Sequence, residues 1–103
     1  MKKSKKVLLI NRDSAVQVDI KAWPEILLFL NDRGWKPSGL LMSFLGEREV
    51  SDLDAKQIAI TGQEALAQAL TDPFSIYPVP FDMGKFAEII YFCEEGSFKI
   101  SIN

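Results

Sequence analysis

The chain has 103 residues, 48% apolar and 25% charged, enough for one domain with one core and too few for two. Its net charge of −2 is uneven: residues 1–12 carry Lys2, Lys3, Lys5, Lys6 and Arg12 and no acid, and 12 bases less these five leave seven against 14 acids beyond them. An acid-rich body repels phosphate backbones, so nucleic acid is not an expected partner, and residues 1–6 read as a basic flexible leader to a single domain at 7–103.

In chain order, Val7–Ile10 is a short apolar run, and Val16, Val18 and Ile20 alternate after the polar "NRDS", the pattern of a β-hairpin. A first helix follows. Trp23, Ile26, Leu27 and Leu30 recur at helical spacing, Pro24 suits a first turn, and Gly34 can supply a left-handed cap. Leu28 and Phe29 fall outside that stripe. "LLMSFL", Leu40–Leu45, lies between Gly39 and Gly46 and has the length of a buried strand, with Glu47, Arg48 and Glu49 as an exposed turn after it.

Ser51 caps a long helix running to Leu70, with Asp54 in the position of a capping-box acid. At ~100° per residue, Ala55, Ile58, Ala59, Gly62, Ala65, Leu66, Ala69 and Leu70 share one face. Leu53, Ile60 and Ala67 form a second stripe on the other side. This helix is therefore expected to be the middle element of the fold. Pro73, Pro78 and Pro80 then force an extended path through Thr71–Asp82, whose Phe74, Ile76, Tyr77, Val79 and Phe81 are expected to cover the helix's back. Asp82 caps a last helix with Met83, Phe86, Ile89, Ile90 and Cys93 on one face; Gly96 ends it, and Phe98, Ile100 and Ile102 alternate as a strand. The expected fold is α+β: three helices in one layer on a small, mostly antiparallel sheet of two to four short strands.

Known chemistries fail one after another. Histidine is absent, which removes serine–histidine and cysteine–histidine catalysis and histidine zinc sites. The single Cys93 forms neither an internal disulfide nor a thiolate metal site, and fits a reducing, cytoplasmic setting. The sequence holds no phosphate-binding loop, nucleophile elbow or calcium loop, no apolar run of membrane-spanning length, and Val7–Ile10 is too short for a signal segment. No enzyme activity and no cofactor are expected.

What remains is surface. Trp35, Pro37, Leu53, Ile60, Tyr77 and Phe81 are the candidate contact residues for a protein partner or a homodimer, because loop aromatics and a second apolar stripe are common at interfaces. One version is an immunity-type binder of a basic protein. The competing possibility is a small-ligand or divalent-cation site formed by Glu49, Asp52 and Asp54, although acids in a first helical turn also complement the helix dipole.

"WPEILLFLNDRGWKPSG", residues 23–39, is similar to a W-P-x-x-L…G-W-x-P-x-G pattern in small bacterial single-domain proteins, and "EVSDLDAKQIA" resembles the V-S-x-x-D-A that follows it there. "FCEEGSFKIS" resembles their closing helix–glycine–strand, whereas Leu40 stands where threonine is usual. The resemblance implies a stand-alone bacterial domain and transfers no activity and no site residue.

Overall fold

The computed structural model describes residues 5–71 and 82–103. Strands β1 (Lys6–Ile10) and β2 (Ala15–Asp19) form the expected hairpin, with Val7 opposite Val18 and Leu9 opposite Val16. Asn11 closes the turn: its Oδ1 accepts from the backbone N–H groups of Asp13 (2.9 Å) and Ser14 (2.8 Å), and its Nδ2 donates to Glu95 (3.1 Å). Strand β4 (Phe98–Ile102) adds to the other side of β1, and β3 (Arg48–Val50) pairs with β4, giving an antiparallel sheet of order β2-β1-β4-β3.

Period-two alternation decides which side is dry. Val7, Leu9, Val16, Val18, Val50, Phe98 and Ile100 are buried, while Gln17, Glu49 and Lys99 between them are exposed. Helices α1 (Ala22–Asp32), α2 (Asp52–Thr71) and α3 (Met83–Glu94) complete the α+β fold. Helix α1 buries the predicted Trp23, Ile26, Leu27 and Leu30. It ends in a Schellman motif: Trp35 N–H donates to Leu30 O (3.0 Å), Gly34 N–H donates to Asn31 O (3.2 Å), and Gly34 takes φ 116°.

Three expectations are corrected. Leu40–Leu45 is not a buried strand: Leu41–Leu45 is a short 3₁₀ helix in which Phe44 alone is buried. Its turn is satisfied locally, with Ser43 N–H (2.9 Å) and Oγ (2.6 Å) both donating to Leu40 O, so no ladder is needed. Second, the residues read as an exposed turn include an edge strand, β3, whose three residues are too few to show a period.

The third correction concerns the middle element. Helix α2 is not enclosed: Ala55, Ile58, Ala59, Gly62 and Ala65 are buried, but Leu53 is 64% and Ile60 56% exposed, and Ala67 faces water as well. The helix enclosed on more than one side is α3, which packs on both α2 and β2 and buries Phe86, Ile89, Ile90, Phe92 and Cys93. Gly62 permits that packing, because a Cβ there would overlap Ile90 Cδ1 and Cγ1. The proline-rich segment, with Tyr77 and Phe81, lies outside the described residues, as do residues 1–4 of the leader.

Each edge strand has a carbonyl taken by a cation: Lys85 Nζ donates to Gln17 O of β2 (3.1 Å), and Arg48 Nε to Glu49 O of β3 (3.0 Å).

Candidate functional site

The exposed stripe of α2 is the most organised candidate surface. Leu53, Ile60 and Ala67 recur every seven residues and so stay on nearly one line over ~21 Å of helix. Gln57 and Glu64 are exposed beside them, and Lys56 pairs with Asp52 at 3.1 Å while both remain about 60% exposed (59% and 61%). An ion pair this exposed is worth little and can be exchanged. Among the described residues Glu64 has no ionic partner. Lys56, Ala59, Ile60 and Gln63, with Glu94 of α3, line an open groove of about 280 Å³ on one flank of the stripe.

The other candidates separate. Trp35 leaves the surface: it is 0% exposed, its ring edge-on to Phe44 at 5.2 Å. The Schellman turn brings it inward, and an apolar residue two places beyond the cap is where such a turn makes its hydrophobic contact. Pro37 is half-buried, and Leu40 (79%) and, in the 3₁₀ helix after it, Met42 (77%) are exposed.

The three carboxylates that a cation site would need do not meet. Asp54 is 2% exposed and fully engaged: Oδ1 accepts from Ser38 N–H (3.1 Å), and Oδ2 accepts from the hydroxyls of Ser38 and Ser51. Its own N–H donates to Ser51 Oγ (3.2 Å), completing the cap. Asp52 turns to Lys56, and Glu49 lies on the open face of the sheet opposite Lys99. Among the described residues no group of three or more acids, cysteines or histidines is placed to hold a metal. The structural role of Asp54, tying the loop after α1 to the start of α2, has no sequence-local signal, since Ser38 is 16 residues away.

A groove of about 530 Å³ near the hairpin turn is lined by Arg12, Arg48 and Lys99, of which Arg48 is engaged by its neighbours. The Arg48 guanidinium lies 4.1 Å from the Phe44 ring centroid and donates to Ser43 Oγ (2.6 Å). Cys93 is 0% exposed, and burial pushes its thiol up from 9.0 to about 12. Alkylation of the native protein at neutral pH is therefore expected to be slow and to proceed through unfolding, which denaturant-dependent iodoacetamide kinetics would read. The folded thiol keeps its proton where the unfolded one loses it, so stability is undiminished below pH 9.0 and falls as pH rises from there toward 12. Cys93→Ala should flatten that part of the pH profile.

No helix among the described residues is long and apolar enough to cross a membrane. No protein-family model, curated protein or solved structure matches the chain.

Proposed function

We propose that this chain is a non-catalytic protein-interaction domain whose contact surface is the outer face of α2. The observation that carries the reading is the exposed row of Leu53, Ile60 and Ala67 on a helix whose opposite face packs into the core from Ala55 to Ala65. Scattered exposed apolar residues need no explanation, but a straight row on a rigid helix is the form in which helices present anchors to partners. The acid excess beyond residue 12 favours protein over nucleic acid as the partner class. The single thiol and the resemblance to small bacterial domains favour a bacterial cytoplasmic setting.

Cross-linking in the native host, followed by affinity capture, is expected to recover a defined protein, this chain itself included, from the wild type. Ile60→Asp should lose it, since the side chain is exposed and its replacement leaves the core intact. Recovery that is indifferent to Ile60→Asp would remove α2 as the contact surface.

A further inference from the structure

We propose that the occupant of the α2 face is a second copy of this chain, docked antiparallel about a two-fold axis at Ile60. This inference rests on the reading of that face as an interface and names its partner. In such a pair, residues equally far before and after Ile60 face each other, because a two-fold contact is self-complementary by construction. The sequence satisfies that condition at every outward position of the stripe. Ile60 meets Ile60 of the second copy. Lys56, four residues before, meets Glu64, four after: a cation against an anion, made twice by symmetry. Gln57 meets Gln63, amide against amide, and Leu53 meets Ala67, a large side chain against a small one.

Helical geometry makes the contacts reachable. Lys56 and Glu64 stand ~40° to either side of Ile60 and ~6 Å along the axis from it, so across the seam they share one height. Glu64 has no ionic partner among the described residues, and the exposed Asp52 competes only weakly for Lys56. Leu53, Lys56, Gln57, Ile60, Glu64 and Ala67 are all exposed in the single chain, so docking requires no rearrangement of the core. One helix face makes a small interface, and the dissociation constant is expected on the order of 100 µM.

Sedimentation equilibrium of the purified full chain up to about 1 mM, with charge reversals, tests this. Lys56→Glu or Glu64→Lys alone places like charges together twice per dimer and should weaken self-association by about tenfold or more. The double variant Lys56→Glu/Glu64→Lys should restore it, and a mixture of the two single variants should associate better than either alone. These positions are exposed, so the variants fold as the wild type does, which circular dichroism confirms. A wild type that is monomeric throughout, or a dimer indifferent to the charge reversals, overturns the inference. Partner capture that still depends on Ile60, from a chain that never self-associates, would leave α2 as the interface and remove only the second copy.

Discussion

Asp54→Ala is expected to destabilise the protein by about 2–3 kcal/mol. Alanine leaves the Ser38 N–H and two hydroxyls without their acceptor in a place where Asp54 is only 2% exposed. Ser38 and Ser51 are themselves exposed, so the cost comes from losing several charge-assisted hydrogen bonds at the buried carboxylate and the tie they make between the loop after α1 and the start of α2. The same change removes the acid of the α2 capping box. Asp54→Asn keeps an acceptor for one of these donors and should fall between wild type and alanine. Urea denaturation gives the free energies. Amide hydrogen exchange at Ser38 separates causes: it should accelerate in Asp54→Ala beyond the change in global stability, because the loop after α1 loses its tether.

The two tryptophans form a paired comparison with an effect nearly as large. Trp23 and Trp35 are both buried, and both meet Phe44, yet in different ways. Trp23 Nε1 donates to Phe44 O at 2.8 Å, whereas Trp35 Nε1 is buried without a hydrogen-bond partner among the described residues. Replacement by phenylalanine removes similar volume at each site, so the difference between the two variants isolates the hydrogen bond. Trp23→Phe orphans a buried carbonyl and should be less stable than Trp35→Phe by roughly 1–3 kcal/mol. In a chain this size that separates the melting temperatures by roughly 4 to 20 °C, readable by calorimetry. Equal melting temperatures would mean that Trp35 also has a partner in solution, a bound water being the simplest.

What the sequence made legible follows physical range. Apolar spacing is local, so the hairpin, the stripe of α1, the caps at Ser51 and Asp82 and the closing strand could all be read from neighbours a few residues apart. The Leu40–Leu45 segment misled because a run of apolar residues carries no period, and only Phe44 turned out to have somewhere to go, under Arg48 and against Trp35. Helix α2 misled differently. Two apolar stripes are compatible with a buried rod or with a half-exposed one, and the choice depends on which helix sits next to the sheet, a long-range fact. The core gives that place to α1 and α3, both of which pack on β2. In the candidate surface, Leu53 and Ile60 were named from spacing alone. Trp35 is carried inward by the left-handed cap expected at Gly34, but the ring it packs on, Phe44, stands nine residues on in a segment without a period, so its burial has no local signal. The balance of Lys56 and Glu64 about Ile60 was present in the sequence but meant nothing until α2 was known to face water.

The cations on the two outer strands have a consequence for assembly in crowded solution. A sheet with bare margins can grow strand by strand into fibres, and each molecule added templates the next. Here Lys85, from a neighbouring helix, occupies one carbonyl at one margin, and Arg48, from within its own strand, occupies one at the other. Strand addition at either margin would first have to displace a bound cation.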